Sequence, residues 1–321
     1  MVVTAEEKVR GESVSEAQVC PIVRETLGQM NVNLAPENFV SVSASVADQC
    51  RTMVERWVQV FPIEDTFAQR EWGIPSLLVR LDCVERPDGI VGVYEIDDRP
   101  AGVGLSLRLH GDNSDFACRL AGIRKFWPDF RYLVSASRRE MDDSIWLKRS
   151  DGTDNSLLLF RAAPNDHHLS DLMPRSVSSL RREGDKSYGV ALNWWKRVSK
   201  VDVDRLPWHE SFVIKPCQGT HSREIYIWHP HGRSLGCNGL ATKTKIIGRL
   251  SASDAPLFYL QPFIQPMSSG IAGYASMMYR IFFGYVPTSR SWLCLGGCAT
   301  ARSSFKIHGA EDSLFLPLRL E

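Results

Sequence analysis

Two β-rich runs on either side of residues 86–89 (RPDG) constrain this chain more than any other feature. Proline at the second position and glycine at the fourth position of such a segment are typical of a type I turn. Charged residues alternate with apolar residues in the two runs, as in strands that bury one face. The segment 74–105 therefore predicts a β-hairpin with one apolar face and one charged face.

The length of the turn decides which residues of the hairpin face each other. If residues 86–89 form the turn, Glu85 pairs with Ile90, and the same register places Asp82 opposite Val93. A slip of one residue would place carboxylates among the apolar side chains. In the predicted register the charged face carries four residues, which are Arg80, Asp82, Glu95 and Asp97.

Three carboxylates on one face repel one another unless positive charge lies between them. Arg80 supplies one positive charge, and a divalent cation would supply the rest. Mg²⁺ prefers a few carboxylate oxygens together with phosphate oxygens. The charged face therefore predicts a magnesium site at Asp82, Glu95 and Asp97. The alternative is a solvated face on which Arg80 pairs with Glu95 across the strands.

A polar loop follows residues 212–216, an apolar strand-like run that contains Lys215. A lysine at the mouth of a hairpin can bind phosphate as a point charge. The loop after it combines a glycine that allows close backbone approach with a hydroxyl and a second cation, which are Gly219, Ser222 and Arg223. This segment is a candidate phosphate-binding loop, and the alternative is a lysine that is simply exposed.

Two arginines further along the chain follow or interrupt segments of apolar and small residues. Arg280 stands in the strand-like run 277–283, and Arg302 follows the run 296–301 (GGCATA). Arginine is rarely buried without a partner. Each of the two therefore either forms a structural ion pair or contacts an anionic ligand, and both are candidate catalytic residues.

The charge balance and the cysteine spacing disfavour several classes of protein. The 321 residues include 38 basic and 37 acidic ones with no block of like charge, which disfavours nucleic-acid binding. No stretch approaches the roughly 20 apolar residues that a membrane span needs. The eight cysteines include no CxxC pair, which is typical of free thiols in a reducing compartment. We therefore expect a cytoplasmic protein without a membrane partner, and the sequence does not indicate its oligomeric state.

Strand-like and helix-like segments alternate through the first half of the chain. Residues 43–60 and 114–127 have helical apolar spacing, with Ser43 or Ser45 as the cap of the first helix and Ser114 as the cap of the second. Later segments resemble strands, apart from a Trp-rich helix predicted at residues 191–200. We predict an α+β or α/β fold in three parts, which are a flexible tail at 1–15, an α/β part with the acidic hairpin at 16–180 and a strand-rich part at 181–321.

The order of these segments resembles that of the circularly permuted ATP-grasp ligases, of which the glutathionylspermidine synthetase domain is the best-known type. An Arg-x-Asp segment, a turn with glycine and a Glu-x-Asp segment come first in this chain. A strand with Lys-Pro, a glycine-containing loop and a strand with Gln261 follow. In that family the acidic metal-binding motif also precedes the phosphate-binding lysine. The resemblance covers residues 74–310 and implies an ATP-grasp-like fold, with residues 181–321 as its nucleotide-binding part.

The resemblance implies ATP and Mg²⁺ as cofactors and gives roles to single residues. Asp82 and Glu95 match the magnesium-binding carboxylates, and Asp97 stands where the family usually has asparagine. Arg80 matches an arginine that contacts the transferred phosphoryl group. The residues that match nucleotide-binding positions are Lys186, Lys215, Gly219 and Gln261.

The activity that the resemblance implies is ATP-dependent ligation of a carboxylate to an amine. A substrate carboxylate would attack the γ-phosphate of ATP to form an acyl phosphate, and an amine would then displace phosphate to form an amide. The substrates would be small-molecule or peptide carboxylates and amines. Two alternatives stay open, which are a non-catalytic nucleotide-binding or interaction protein of this fold and an ATP-dependent phosphotransferase that acts on a hydroxyl.

Overall fold

The structure is a computed structural model of the chain. It describes residues 23–27, 30–60, 67–98, 100, 102–126, 131–134, 148–149, 158–161, 188–217, 224–231, 240–303 and 313–321. These residues form a nine-stranded mixed sheet, a four-stranded antiparallel sheet and a three-stranded parallel sheet, together with helices. The architecture is a mixed α+β one, as the alternation of segments predicts.

The strands and helices are numbered in chain order. The strands are β1 (Val23–Leu27), β2 (Met30–Leu34), β3 (Val40–Val42), β4 (Leu78–Glu85), β5 (Val91–Asp97), β6 (Arg131–Val134), β7 (Lys148–Arg149), β8 (Leu158–Arg161), β9 (Lys196–Val198), β10 (Phe212–Pro216), β11 (Tyr226–Trp228), β12 (Phe258–Pro262), β13 (Met267–Ile271), β14 (Tyr274–Val286), β15 (Ser291–Arg302) and β16 (Leu314–Leu320). The helices are α1 (Ala44–Val60), α2 (Phe67–Trp72), α3 (Val103–His110), α4 (Asp115–Arg124), α5 (Tyr188–Ala191), α6 (Lys243–Ser251) and a 3-10 helix at Lys200–Arg205. Among the described residues, no helix is long and apolar enough to span a membrane.

The nine-stranded sheet draws its strands from both ends of the described chain. Its order is β1-β2-β16-β15-β14-β4-β5, with β13 beside β14 and β3 beside β16. Strand β16 runs parallel to β2 and β3, and the other pairs are antiparallel. Strands from both sides of residue 180, the predicted boundary, therefore pair within one sheet. The predicted tail at residues 1–15 lies outside the described residues.

One face of this sheet is covered by α1, which confirms the helix predicted at residues 43–60. Ser43 caps the helix, because the amide of Val46 donates to its Oγ at 3.3 Å. The helix packs on the apolar side chains that β4, β14 and β15 place on this face. The residues that α1 buries there are Val46, Cys50, Val54 and Trp57.

The opposite face of the sheet is partly covered by α3 and α4. Phe282 of β14 is buried with Val103 of α3 and Phe116 of α4. Ser114 caps α4, as predicted, by accepting a hydrogen bond of 3.2 Å from an amide in the first turn. Arg80 lies directly opposite Phe282, so the charged residues of the hairpin share this face with the two helices.

The four-stranded sheet has the order β11-β10-β12-β9 and is antiparallel throughout. Helix α6 packs on one of its faces, where Ile246 is buried with Phe212 and Phe258. Lys215 stands on β10 opposite Tyr259 of β12. The strand that leads into the candidate phosphate loop is therefore an inner strand of this sheet.

The Trp-rich helix predicted at residues 191–200 does not form. Helix α5 ends at Ala191, and β9 follows it. The amides of Trp194 and Trp195 both donate to the carbonyl oxygen of Gly189, which closes a turn. The Trp195 ring packs on Gly189 so closely that a Cβ atom there would overlap the ring. Packing of one large ring thus overrides the local helical preference.

Candidate active site

The turn of the β4–β5 hairpin is one residue shorter than the sequence predicts. The amide of Arg86 donates to the carbonyl oxygen of Ile90 at 3.0 Å, and the amide of Gly89 donates to that of Arg86 at 2.9 Å. Gly89 has a φ of +74°, which is typical of a three-residue hairpin loop that ends in glycine. Glu85 therefore pairs with Val91, and the predicted register is wrong.

A β-bulge shifts the register again at Tyr94. Cys83 pairs with Val93, whereas the adjacent Asp82 pairs with Glu95, which leaves Tyr94 as the extra residue on β5. The turn and the bulge together move the pairing by two residues, because Asp82 lies opposite residue 95 instead of residue 93. Side chains alternate with a period of two, so this shift leaves Glu95 and Asp97 on the predicted face. Val93, predicted opposite Asp82, is shifted by one residue and lies instead on the apolar face opposite Cys83. The predicted charged face is therefore confirmed, although its register is not.

Arg80 joins the carboxylates on the charged face. Its Nε and Nη2 atoms donate to the two carboxylate oxygens of Asp82 at 2.7 and 3.2 Å, and Nη2 also lies 3.4 Å from Asp97 Oδ2. Arg80 is 4% exposed and Asp82 is 3% exposed. Burial lowers the pKa of Arg80, but the nearby carboxylates of Asp82, Asp97 and Glu95 outweigh burial and raise it.

Burial also acts on Asp82, whose pKa it raises, while Arg80 and Arg280 oppose that rise and Glu95 adds to it. The two-pronged contact between Arg80 and Asp82 is the geometry of a charge-assisted pair. The contact is an ion pair that lies almost entirely out of solvent. The charged face holds a buried ion pair rather than a set of repelling carboxylates.

The carboxylates of this face could bind Mg²⁺ only together with the phosphate oxygens of a bound ligand. Among the described residues, no group of three His, Cys, Asp or Glu side chains stands close enough to hold a metal ion. Both oxygens of Asp82 already accept from Arg80. Glu95 and Asp97 lie two residues apart on the same face. Mg²⁺ in proteins is usually bound by one or two carboxylates together with phosphate oxygens of the substrate, and Glu95 and Asp97 could supply the carboxylates.

Lys215 reaches the hairpin from the other sheet. Its ammonium nitrogen donates to the carbonyl oxygen of Tyr94 at 2.9 Å and lies 3.8 Å from the ring centroid of Trp195. The side chain is 5% exposed. Because Tyr94 precedes Glu95, the structure brings the candidate phosphate-binding lysine beside a candidate metal ligand that lies 120 residues away in the chain.

Gln261 makes a second link between the sheets. Its Nε2 atom donates to the carbonyl oxygen of Val93 at 2.8 Å, and the residue is 4% exposed. The hydroxyl of Tyr94 donates to the carbonyl oxygen of Ile264 at 3.1 Å. These contacts hold the bulge of β5 against β12 and the segment after it. The role of Gln261 in nucleotide binding stays a prediction.

Arg280 lies on the charged face and forms no ion pair with any residue that the structure describes. It stands opposite Asp82 on the neighbouring strand β14 and is 2% exposed. Within the part of the chain that the structure describes, its guanidinium forms no ion pair and its Nε atom makes no hydrogen bond. Burial lowers the pKa of Arg280, and Asp82 partly offsets that effect. The structural ion pair that was one interpretation of this arginine is therefore not formed.

Arg302 stands at the end of β15 and is 7% exposed. It lies opposite Ser276 of β14, four residues before Arg280, so its side chain is on the same face of the sheet. The structure thus places all three candidate catalytic arginines on one face. Four further candidates, which are Lys186, Gly219, Ser222 and Arg223, lie outside the described residues, and their roles stay predictions.

Comparisons with known proteins do not assign this chain to a family. No protein-family model and no curated protein matches it. The solved structure of a Methylobacillus flagellatus protein, provisionally named gamma-glutamylcysteine synthetase, aligns over 85% of this chain and 83% of its own, with 11% identity and a TM-score of 0.38. A similarity at this level establishes neither a shared fold nor a shared function.

Sequence reasoning misses two residues of the candidate site. Thr300 is buried on β15, two residues before Arg302. Because side chains alternate along a strand, this spacing would have placed Thr300 on the same face as Arg302. Trp195 lies under Lys215, and no local pattern marks it, since the sequence predicts a helix at residues 191–200. Long-range packing alone brings its ring to the lysine.

Proposed function

We propose that this protein is an ATP- and Mg²⁺-dependent ligase that joins a carboxylate to an amine through an acyl phosphate. The observation that carries this proposal is the 2.9 Å contact between Lys215 Nζ and the carbonyl oxygen of Tyr94. It brings a buried ammonium group of one sheet beside Glu95 of the other. Cations and carboxylates combined in this way suit a nucleoside triphosphate bound with a metal ion.

Lys215 would bind the phosphates of ATP. An ammonium group is a compact charge with three donors, so it can contact phosphate oxygens in addition to, or in place of, the Tyr94 carbonyl. The Trp195 ring at 3.8 Å stabilises the positive charge through its π-electrons. The lysine is thus held, as a charged group, at the edge of the acidic face.

Glu95 and Asp97 would hold Mg²⁺ together with phosphate oxygens. When bound, Mg²⁺ would neutralise the charge that develops on the phosphoryl oxygens. Asp82 would act differently, since both of its oxygens accept from Arg80. We assign Asp82 the positioning of Arg80, whose guanidinium also contacts Asp97 and would face the transferred phosphoryl group.

The proposed reaction has two steps. A carboxylate oxygen of the first substrate attacks the γ-phosphorus of ATP, and the bond from that phosphorus to the bridging oxygen breaks and releases ADP. The amine of the second substrate then attacks the acyl carbon, inorganic phosphate leaves, and the amine nitrogen loses a proton. Arg80 would stabilise the negative charge of the transferred group, because a buried cation acts strongly in a site from which water is excluded.

The test of this proposal is ADP release with ATP, Mg²⁺ and pools of carboxylates and amines. Lys215→Ala and Glu95→Gln are each expected to lower ADP release about 100-fold, since each removes a charge at the phosphates or the metal. Lys243→Ala is the matched control and should retain activity, because Lys243 is an exposed lysine whose ammonium also lies above a tryptophan ring, 4.7 Å from Trp208. Unchanged release by both folded test variants would contradict the proposal. Product mass distinguishes an amide from the phosphate ester of a phosphotransferase.

A non-catalytic nucleotide-binding protein is the second candidate. One observation favours it, since Arg80 already holds both oxygens of Asp82 and Lys215 is bonded to Tyr94. Such a protein would gain about 2.7 kcal/mol of stability from ATP with Mg²⁺ at 100 times the Kd. It would release no ADP with any pool of substrates. Thermal stability and ADP release measured on the same samples distinguish the two candidates.

A further inference from the structure

We propose that Arg280 and Thr300 form a buried subsite for a carboxylate of the substrate that is not the reacting one. The identity of the ligand as a substrate rests on the proposed function, whereas the subsite itself rests on the sheet. Arg280 of β14 is 2% exposed, and Thr300 of β15 is 1% exposed. In the described part of the chain, Arg280 Nε and Thr300 Oγ1 make no hydrogen bond. Two unpaired buried polar groups on adjacent strands mark a place for a ligand.

The register of the sheet brings the two side chains together. Arg280 pairs with Cys298 and Met278 pairs with Thr300, so Arg280 and Thr300 are diagonal neighbours on one face. The guanidinium carbon of Arg280 lies 6.0 Å from the ring centroid of Phe315. Phe315 of β16 stands directly opposite Thr300. The Arg280 side chain therefore extends from β14 towards β16, on the face that also carries Thr300.

The contacts of the two buried arginines leave donors of Arg280 for an anion. Arg80 is matched by Asp82 and Asp97, as its contacts show. Arg280, in contrast, forms no ion pair with any described residue. The nearby carboxylates of Asp82 and Glu95 offset the burial of Arg280 only in part, and its Nε atom has no acceptor among the described residues. A bound monoanion would accept from Arg280 and would satisfy the hydroxyl of Thr300 at the same time.

A carboxylate fits this subsite better than a phosphate. The planar guanidinium presents a pair of donors that matches the two oxygens of a carboxylate, and a threonine hydroxyl adds one further donor. A phosphate group would bring up to about two negative charges near Asp82, which stands opposite Arg280. The other neighbours are Met278, Cys298 and Phe315, which carry no charge at neutral pH.

The position of the subsite indicates the class of substrate. Strand β14 lies two strands from β5, on which Glu95 and Asp97 stand. Two strand spacings are about 10 Å, so a carboxylate at Arg280 cannot also attack a phosphate held at β5. The subsite therefore anchors a second carboxylate. The substrate is expected to be a dicarboxylate or an amino-acid-like compound with two carboxylates, one anchored and one activated.

The test titrates the full chain with acetate, with acetamide as the uncharged analogue, and with inorganic phosphate, at constant ionic strength. Acetate is expected to raise the Tm of the wild type, and acetamide is not. Arg280→Met should weaken the acetate response at least about tenfold, and Thr300→Val should weaken it about two- to tenfold. Thr300→Ser, which retains the hydroxyl, and Arg319→Met, which removes an exposed guanidinium of β16, are the matched controls and should respond like the wild type.

The Tm of the variants without added ligand distinguishes a binding role of these residues from a structural role. Arg280→Met and Thr300→Val remove buried groups without partners, so their Tm should equal or exceed that of the wild type. A structural role for Arg280 predicts a lower Tm. If Arg280→Met does not fold, the expectation of an equal or higher Tm is refuted for that variant. The acetate responses of Thr300→Val and Thr300→Ser then still test the subsite.

Two outcomes would overturn the proposal. One is an equal acetate response in the wild type and Arg280→Met, and the other is a phosphate response that disappears together with the acetate response in Arg280→Met.

Titration with ATP and Mg²⁺ separates this proposal from the proposed function. An acetate response without an ATP response would refute the ligase and retain the subsite, whereas an ATP response without an acetate response would do the reverse.

Discussion

Two arginines on adjacent strands show how a partner decides what a buried charge can do. Arg80 contacts Asp82 through two hydrogen bonds, so each of the two buried groups has a partner. Arg280 has the same degree of burial and stands opposite the same aspartate, but it makes no such contact. The sequence marks both residues as unusual in apolar strands, yet it cannot show which one is paired. That distinction depends on side-chain direction, which strand alternation alone does not fix.

His110 provides a prediction about pH. Its Nε2 atom donates to the carbonyl oxygen of Gly297 at 2.6 Å, and its ring stacks on Phe116 with centroids 5.1 Å apart. Burial lowers the pKa of His110, the Gly297 carbonyl opposes that effect, and Arg319 adds to it. The unfolded chain therefore takes up this proton at a higher pH than the folded protein does. The stability that neutral His110 contributes is complete above about pH 6.5 and decreases as the pH falls below that value.

His110→Gln should therefore flatten the dependence of Tm on pH between roughly pH 7 and pH 5, because glutamine keeps a donor but does not titrate. The control is His209→Gln, since His209 is exposed. Thermal unfolding of the three proteins across this range is the measurement. If the Tm of His110→Gln falls with decreasing pH as steeply as that of the wild type, His110 does not cause the loss of stability in acid.

At the scale of elements, apolar spacing predicts faces better than it predicts registers. Helices α1 and α4 form where the spacing and a serine cap agree. The hairpin sorts its charged residues onto one face because alternation is a local property. Its register differs because the bulge at Tyr94 is held by Lys215 and Ile264, which lie 121 and 170 residues away in the chain. No local pattern carries that information.

The turn of the hairpin gives a prediction at this scale. Gly89 has a φ of +74° and nothing within 4 Å of a Cβ at its position. Gly89→Ala should therefore lower the free energy of unfolding through backbone conformation alone, by about 1–2 kcal/mol. Gly122 of α4 also has open space around it but lies within a helix. Gly122→Ala should raise the same quantity by about 0.5–1 kcal/mol, and urea denaturation of both variants checks the opposite signs.

At the scale of the whole molecule, the candidate site lies where the nine-stranded and four-stranded sheets meet. Lys215 and Gln261 donate to consecutive carbonyls of β5, which are those of Tyr94 and Val93. The resemblance to ATP-grasp ligases selects both residues, but as ligand contacts. The structure shows that they also hold the sheets together. Contacts between residues 168 positions apart, as Gln261 and Val93 are, cannot be derived from one sequence.

Gln261→Leu tests this junction. It removes the donor to Val93 and leaves a buried carbonyl oxygen without that partner, so the free energy of unfolding should fall by about 1–3 kcal/mol. Gln59→Leu on the exposed surface of α1 is the matched control and should change it by less than about 0.5 kcal/mol. Denaturation gives both values, and amide hydrogen exchange should increase in β5 of the first variant. Equal stability of the two variants would show that the junction does not depend on this bond.

The shortened turn and the bulge at Tyr94 set a rule for how this hairpin can change in length. One residue added to or removed from the turn would exchange inside for outside along β5, and Glu95 and Asp97 would enter the core beneath α1. Tyr94 compensates for such a change in the present chain. A longer loop can therefore arise only by an even number of residues, or by an odd number together with a second bulge.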